Sequence, residues 1–491
     1  MTSKSMLRFV SVARQTPEKR EVAIRRHDFA EIYAGWAEAK AEEQAARCSQ
    51  CGVPFCQVHC PLHNNIPDWL MLTAEGRLRE AYEVSSATNT FPEVCGRICP
   101  QDRLCEGNCV IEQSGHGTVT IGAVETYITD TAWEEGWVQP VVPPRERAES
   151  VGIIGAGPGG LAAAERLRRR GYQVTVYDRY DRVGGLMIYG IPNFKLDKQI
   201  MLRRAQWLKD SKVTFELGVE IGRDMSFADL RARHDAVLIA TGVYKARDMQ
   251  APGIGLGNIF PAMRFLTASN RKGLGDTVPD FEDGTLDAEG KRVVVIGGGD
   301  TAMDCVRTAV RQGAKSVSCL YRRDRANMPG SQREVQNAEE EGVEFRWLSQ
   351  PEAFHGDDVV TGVKVQKMRL GPADATGRRA PKPVEGESEL LDADMVIMAL
   401  GFDPEDLPTL WEQEDLPVTR WGTVKIDHGS KMTRVEGVFA AGDIVRGASL
   451  VVWAIRDGRD CADAIHKYLT GLEKVAAPEM SPSQKAPAAA E

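Results

Sequence analysis

Two segments are the main evidence for the predicted fold: residues 150–160 read SVGIIGAGPGG, and residues 292–302 read RVVVIGGGDTA. Each begins as a short apolar run, which is typical of a buried strand, and continues through glycines into a segment that predicts a helix. A further predicted strand follows each helix, at residues 173–177 and 316–320. Two such β-α-β units, about 140 residues apart, predict two dinucleotide-binding domains.

The turn of the first unit has the pattern G-x-G-x-x-G, in which each glycine has a steric role. Gly155 permits the tight turn, Gly157 lets a diphosphate approach the backbone, and Gly160 lets the helix pack on the strand. Pro158 and Gly159 lie at the start of the helix, where free N–H groups and the positive end of the helix dipole attract phosphates.

The two units differ where their second strands end. The first ends at Asp178, whose carboxylate can bind both hydroxyls of a ribose. The second ends at Arg322 and Arg323, which favour NADP because guanidinium groups bind a 2′-phosphate that a carboxylate would repel. A solvated surface pair is the alternative reading of these arginines. The G-x-G-x-x-A turn of the second unit supplies the other predicted nucleotide contacts, which are Gly297, Gly299, Asp300, Thr301 and Ala302.

Several later segments resemble the motifs of flavoproteins with two dinucleotide-binding domains. Residues 235–242 end in A-T-G, residues 437–443 end in G-D, and residues 395–401 resemble the strand that returns from an inserted NADP domain. The resemblance implies FAD in the first domain, with further contacts from Gly185, Leu186, Thr241, Gly242, Gly442, Asp443 and Ala454. Many relatives carry a redox pair of cysteines near this point, and no such pair is recognisable here, so electrons must leave the flavin another way.

Cysteine is concentrated near the N-terminus, because eight of the eleven cysteines lie in residues 48–109. The first ten residues lack the apolar core of a signal peptide, so we expect a cytoplasmic protein in which this cluster binds metal rather than forming disulfides. Close spacing followed by Cys-Pro is typical of iron–sulfur proteins, and eight thiols suffice for two four-iron clusters. Zinc is the alternative, although it cannot change valence.

The cysteine pattern, followed by FAD and NADP motifs, resembles the small (β) subunits of bacterial NADPH-dependent glutamate synthase and the N-terminal module of dihydropyrimidine dehydrogenase. The likeness covers nearly the whole chain. It implies that one 4Fe–4S cluster is bound by Cys48, Cys51, Cys56 and Cys109, and the other by Cys60, Cys99 and Cys105. We predict Glu125 as the fourth ligand of the second cluster from the family pattern, while the count of thiols favours Cys95.

The expected fold is an α/β flavoprotein with Rossmann-like FAD and NADP domains and an N-terminal α-helical iron–sulfur domain. Apolar spacing predicts helices over residues 28–47 and 68–84. We predict a cluster-binding domain over residues 1–145 and an FAD domain in two segments, residues 146–288 and 404–475. The NADP domain, residues 289–403, is inserted between these segments, and residues 476–491 form a disordered tail.

The resemblance implies that the chain oxidises NADPH and passes electrons through FAD and the clusters to a large FMN-containing subunit that makes L-glutamate from L-glutamine and 2-oxoglutarate. The cofactors would carry the chemistry, so we assign no catalytic acid, base or nucleophile. Two alternatives stay open: a related NADPH oxidoreductase serving pyrimidine reduction or ferredoxin, and a zinc-stapled FAD-binding scaffold without redox output. A net charge of −9 argues against nucleic acid, and the apolar runs are too short for a membrane span. We expect a hetero-oligomer.

Overall fold

The computed structural model describes residues 6–374 and 379–476. None of the helices in these residues combines the length and the apolar character that a membrane crossing requires. The predicted disordered tail, residues 476–491, lies outside the described residues apart from residue 476.

The first β-α-β unit forms the centre of a five-stranded sheet in which every neighbouring pair is parallel. The strands, in spatial order, are Val438–Ala440, Ala236–Ile239, Ser150–Ile154, Gln173–Asp178 and Val213–Leu217. The central strand of this sheet, Ser150–Ile154, is buried along nearly its whole length, because helices cover parallel sheets of this kind. The helices of this part of the chain are Pro158–Arg169, Leu186–Tyr189, Lys198–Asp210, Phe227–Arg233, Leu407–Leu410, Asp443–Arg446 and Val451–Ala476.

The second unit forms the centre of another five-stranded parallel sheet. Its strands, in spatial order, are Ile259–Pro261, Met395–Met398, Arg292–Ile296, Ser316–Tyr321 and Glu344–Trp347. Its helices are Ala262–Gly273, Pro279–Glu282, Asp300–Arg311 and Gln332–Glu340. The strand and helix over residues 259–273 fall within the predicted first FAD segment, yet they pair and pack with the second sheet. The chain therefore passes between the two sheets before residue 259 rather than at residue 289.

A small antiparallel sheet, which the sequence did not reveal, extends the second domain. It consists of Ser349–His355, Gly362–Ala373 and Arg379–Asp392. Two short strands, Lys245–Ala246 and Phe402–Asp403, pair with each other where the chain crosses between the two large sheets.

The N-terminal part is helical, as predicted, but its helices are shorter than the apolar spacing indicated. The predicted helix over residues 28–47 is wrong before Glu38, because Phe29 packs against Phe194 of the first nucleotide domain instead of forming a helical stripe. The predicted helix over residues 68–84 is interrupted at Gly76, whose φ of +76° ends one helix and allows the next to begin. The observed helices are Val22–Arg25, Glu38–Ala45, Phe55–Val58, Ile66–Ala74, Leu78–Thr88, Pro92–Ile98, Val110–Gln113 and Ile121–Glu134.

Buried and partly buried polar contacts join the helical domain to the first nucleotide domain. Arg204 forms a 2.7 Å ion pair with Glu93, and both side chains are almost fully buried. Arg459 donates to Thr90 Oγ1 at 3.1 Å. Breaking such a buried pair costs about 3 kcal/mol or more, because it leaves an uncompensated charge. The cysteine-rich segment is therefore held in a fixed position beside the first sheet.

Candidate functional site

A cavity of about 370 Å³ lies at the carboxyl ends of the first sheet's strands, where open α/β sheets bind ligands. Most of the predicted FAD contacts line it, namely Gly155, Gly157, Pro158, Gly159, Asp178, Leu186, Thr241, Gly242, Gly442, Asp443 and Ala454. Two other predicted contacts, Gly160 and Gly185, do not line it and lie in close backbone packing. A Cβ on Gly160 would stand 2.0 Å from the carbonyl oxygen of Gly155, and one on Gly185 would stand 2.8 Å from the Cα of Gly157.

The glycine turn is shaped for a large polar ligand. Gly155 has a φ of +111°, and a Cβ there would meet the carbonyl oxygen of Ala240 at 2.3 Å. A Cβ on Gly157 would meet nothing within 4 Å, so this backbone is open to the cavity. The helix Pro158–Arg169 that follows has no side-chain cap at its N-terminus. Its first N–H groups are therefore available to an anion.

Asp178 is held in place before any ligand arrives. Its Oδ2 accepts from the N–H of Ala156 at 2.6 Å, and its Oδ1 accepts from the N–H of Tyr180 at 2.8 Å. Burial raises the pKa of Asp178, while these two N–H groups oppose the rise. Each carboxylate oxygen has a second lone pair, so the side chain can still accept from a pair of hydroxyls.

Two orphaned polar atoms test whether a flavin nucleotide fits this cavity. Within the described chain, Thr241 Oγ1 and Asp443 Oδ1 are buried and have no hydrogen-bond partner. Burial raises the pKa of Asp443 to about 6. Buried polar atoms normally have partners, and a ligand rich in hydroxyl and amide groups would supply them. The residues present therefore fit FAD.

Reasoning from the sequence missed an aromatic and charged wall of the same cavity. The Arg179 guanidinium lies 4.9 Å from the centre of the Tyr244 ring and 5.3 Å from that of Tyr180. It also donates to Glu405 at 2.8 Å. The position of Arg179 directly after Asp178 is the signal that could have revealed it.

A second cavity, of about 850 Å³, lies at the carboxyl ends of the second sheet's strands. It is lined by the predicted contacts Gly297, Gly299, Asp300, Thr301, Arg322 and Arg323, while Ala302 is buried in the core. A Cβ on Gly299 would meet nothing within 4 Å, so this turn is open as well. Arg323 Nε is buried without a partner in the described chain, which fits an anionic ligand such as a 2′-phosphate. The cavity also includes Arg103 of the helical domain, which sequence reasoning missed.

The two cavities adjoin each other. Leu186, Asp443, Ser449 and Leu450 line both. A ligand in the first cavity and a ligand in the second can therefore meet across one shared set of side chains.

The eight N-terminal cysteines divide between two smaller cavities in the way the family pattern implies. Cys48, Cys51, Cys56 and Cys109 line one of them. The other is lined by Cys60, Cys95, Cys99, Cys105 and Glu125. None of the eleven cysteines, all of which lie in the described residues, forms a disulfide.

Each cysteine set lines a cavity of its own. Several thiols grouped around one cavity are the donors that an iron–sulfur cluster uses. Burial raises the pKa of Cys48 and Cys60 to about 11 and that of Cys56 to about 12. A bound cationic core would offset this cost, because thiolates are the ligands.

The two candidates for the fourth ligand of the second cluster lie side by side. Glu125 Oε1 accepts from Asn89 Nδ2 at 3.1 Å and from Asn64 Nδ2 at 3.4 Å, and burial raises the pKa of Glu125 to about 8. Cys95 Sγ donates to Asn89 Oδ1 at 3.6 Å. Both groups line the same cavity, so the choice of Glu125 stays a prediction.

The second cysteine cavity lies next to the flavin cavity, on the other side of one helical turn. Val452, near the start of the helix Val451–Ala476, lines the second cysteine cavity, while its neighbours Val451 and Ala454 line the flavin cavity. Ile121 lines both cysteine cavities. Four adjoining sites therefore run from the second nucleotide domain to the N-terminal domain.

Two family models match successive parts of the chain. Residues 25–137 match the model of dihydropyrimidine dehydrogenase domain II with its 4Fe-4S cluster. Residues 149–458 match the model of the pyridine nucleotide-disulphide oxidoreductases. Among solved structures, FprA from Mycobacterium tuberculosis in complex with NADPH superimposes with a TM-score of 0.57 over 67% of this chain and 86% of that one, at 21% identity, and shows the shared fold.

Curated relatives match almost end to end. The glutamate synthase (NADPH) small chain of Azospirillum brasilense is 66% identical over 95% of this chain and 97% of its own length. The corresponding protein of Escherichia coli is 45% identical over 95% of this chain and 99% of its own length. The putative oxidoreductase AegA of Escherichia coli is 45% identical over 94% of this chain, but this match covers 71% of its length.

Proposed function

Since this chain belongs to the family of the glutamate synthase (NADPH) small chains, we propose that it is the electron-input subunit of a glutamate synthase. In this role it oxidises NADPH and supplies electrons, through FAD and two 4Fe–4S clusters, to a large FMN-containing subunit. That subunit makes L-glutamate from L-glutamine and 2-oxoglutarate. A small-chain relative that matches over 97% of its own length supports the role, and the site supports it independently.

The observation that carries the proposal is the series of adjoining cavities. The nucleotide cavity shares four lining residues with the flavin cavity, and one turn of the helix Val451–Ala476 separates the flavin cavity from the second cysteine cavity. When bound, FAD would accept a hydride from the reduced nicotinamide and release electrons one at a time. The protein contributes the order and the spacing of the sites.

The chain's own residues determine how NADPH is held. Arg322 and Arg323 bind the 2′-phosphate, and the turn over residues 297–302 binds the diphosphate at the N-terminus of the helix Asp300–Arg311. Leu186 and Leu450, at the junction of the cavities, exclude water from the nicotinamide end. With both nucleotides bound in this way, their reactive ends would meet at the junction of the cavities.

The cysteine residues would hold the clusters in the two sets that line the two cavities. A Cys95→Ser variant tests the remaining choice, because it should keep the iron of both clusters if Glu125 is the fourth ligand. Loss of half the iron would identify Cys95 instead.

An exposed apolar surface surrounds the first cysteine cavity and suits a protein partner. Val53, Phe55, Val58 and Val110 have exposed fractions of 63%, 47%, 53% and 37%. Phe55 and Val110 also line that cavity. Apolar side chains grouped in this way indicate a docking surface, and this one lies where electrons would leave the chain.

A reconstituted assay tests the function. With the large subunit present, the chain should oxidise NADPH only when both glutamine and 2-oxoglutarate are added. Phe55→Glu should weaken this coupled rate, while the matched control Leu390→Glu, on an exposed apolar residue of the antiparallel sheet, should not. An absence of glutamine-dependent NADPH oxidation by the wild-type pair would contradict the proposal.

The similarity to AegA, which is named a putative oxidoreductase, supports a second candidate function with another electron acceptor. In that second candidate function, NADPH oxidation is the same and the electrons go to a pyrimidine-reducing subunit or to ferredoxin. NADPH-dependent reduction of ferredoxin at a rate above that of the glutamine-dependent reaction would favour it.

A further inference from the structure

The segment between two predicted ligands of the second cluster, residues 99–105, reaches across to the second nucleotide domain. Gln101 Oε1 accepts from Arg333 Nη1 at 2.8 Å. Asp102 Oδ1 accepts from Ser331 Oγ at 3.4 Å. These side-chain contacts hold the segment against the N-terminal end of the helix Gln332–Glu340.

Arg103 extends from this segment into the second nucleotide cavity. Its Nη1 donates to the carbonyl oxygen of Pro329 at 2.5 Å, and its Nη2 lies 3.6 Å from Asp300 Oδ2. Asp300 is the first residue of the helix Asp300–Arg311, and its Oδ1 accepts from the N–H of Ser331 at 2.9 Å. The guanidinium therefore lies next to the end of the helix that faces the cavity.

When a nucleotide is bound, the negative charges of its diphosphate and of Asp300 lie close together, and a cation between them would offset their repulsion. The carboxylate of Asp300 stands at the open end of the glycine turn, where it would repel a diphosphate. A guanidinium has five N–H donors, and within the described chain the hydrogen bonds of Arg103 involve Nη1 alone. Donors remain for a phosphate, and the positive charge offsets that of Asp300.

We propose that Arg103 is a nucleotide-binding residue, which reaches from the N-terminal domain to bind the diphosphate of the pyridine nucleotide. The inference rests on the proposed function, since it takes NADPH as the ligand of this cavity. It gives the two sets of arginines separate roles. Arg103 contacts the diphosphate, which NADP⁺ and NAD⁺ share, whereas Arg322 and Arg323 contact the 2′-phosphate, which NAD⁺ lacks.

Dissociation constants of NADP⁺ and NAD⁺ for the whole, cofactor-loaded protein separate these roles. Arg103→Gln should weaken the binding of both nucleotides by about tenfold, because it removes a charge-assisted contact and leaves the Asp300 carboxylate without its neighbouring cation. The double variant Arg322→Gln, Arg323→Gln should weaken NADP⁺ alone. Arg103→Lys, which keeps the charge, should recover part of the affinity for both.

The matched control is Arg264→Gln, because Arg264 also pairs with an aspartate, Asp280, at similar exposure but outside the cavity. Iron content and the melting temperature show whether each variant is folded. Unchanged affinity of a folded Arg103→Gln variant for both nucleotides would overturn the inference, as would a loss confined to NADP⁺. If the wild type itself binds neither nucleotide, the proposed function fails and the inference fails with it.

Discussion

The two nucleotide-binding domains share their steric design and differ in the charge that ends the second strand. A Cβ on Gly155 would stand 2.3 Å from the carbonyl oxygen of Ala240, and a Cβ on Gly297 would stand 2.3 Å from that of Ala399. In both turns the second glycine of the G-x-G pattern, Gly157 or Gly299, is open. The glycines thus build the same space for a diphosphate twice.

Beyond the turns the two sites diverge. Asp178 is a buried carboxylate held by two backbone N–H groups. Arg322 and Arg323 occupy the corresponding end of the second domain's strand and line its cavity. The turn therefore has the same shape in both domains, and we propose that the residues at the end of the second strand select which dinucleotide is bound.

We expect the greatest loss of stability from a substitution in the glycine turn, whose steric design both domains share. Gly155→Ala should lower the free energy of unfolding by about 3 kcal/mol, because it combines an unfavourable positive φ with a backbone clash. Gly157→Ala should leave the fold intact, since its φ of −82° suits any residue and its surroundings are open, but it should reduce FAD retention. Chemical denaturation of the flavin-free variants and their flavin content provide the measurements. Equal stability of the two variants would contradict this role for Gly155.

The next prediction concerns the choice between NADPH and NADH at the second nucleotide cavity. Replacing Arg322 and Arg323 together by Gln should lower kcat/KM for NADPH by about 100-fold, because two charge-assisted contacts to the 2′-phosphate are lost. The value for NADH should stay unchanged and serves as the internal control. Steady-state rates with an artificial acceptor provide both numbers. An equal fall for the two nucleotides would remove the basis of the comparison.

A smaller effect is expected at the matching position of the first site. Asp178→Asn should raise the dissociation constant of FAD about tenfold, because an amide can accept from only one of the two backbone N–H groups and presents N–H donors to the other. Titration of the flavin-free protein with FAD measures the constant. The affinity for NADP⁺ should not change, and a fall there would show that the substitution acts on the whole fold.

The smallest predicted effect is a pH dependence of the free energy of unfolding, which arises from Asp443. Its pKa of about 6 in the folded chain exceeds its ordinary value of 3.8, so the folded state holds the proton more tightly than the unfolded state. The free energy of unfolding therefore falls as the pH rises from about 4 to about 6. Asp443→Asn removes this penalty, and its advantage over wild type should be about 1 kcal/mol larger at pH 7.5 than at pH 5. Denaturation of the flavin-free proteins at both values tests it, and an advantage independent of pH would refute it.

The sequence predicts those parts of the site that are local in the chain. The strand, glycine turn, helix and second strand of each unit follow one another within about 30 residues, so apolar spacing and glycine positions were sufficient. The grouping of the cysteines by family pattern also agrees with the cavities they line.

Contacts between distant segments could not be read in this way. Phe29 looked like part of a helical stripe because its partner, Phe194, lies in another domain. Arg103 had no recognisable role because Asp300, 197 residues away in the sequence, gives it one. The antiparallel sheet over residues 349–392 was missed because its outer strand is largely exposed and lacks a regular apolar alternation.

An anaerobic titration of the purified chain with NADPH, with flavin, iron and sulfide counted per chain, tests electron input through the adjoining cavities most directly. We predict one flavin and about eight irons, as two four-iron clusters require, with NADPH bleaching the flavin and then reducing a cluster signal. A yellow protein without iron, or one whose flavin NADPH does not bleach, would contradict the proposed path.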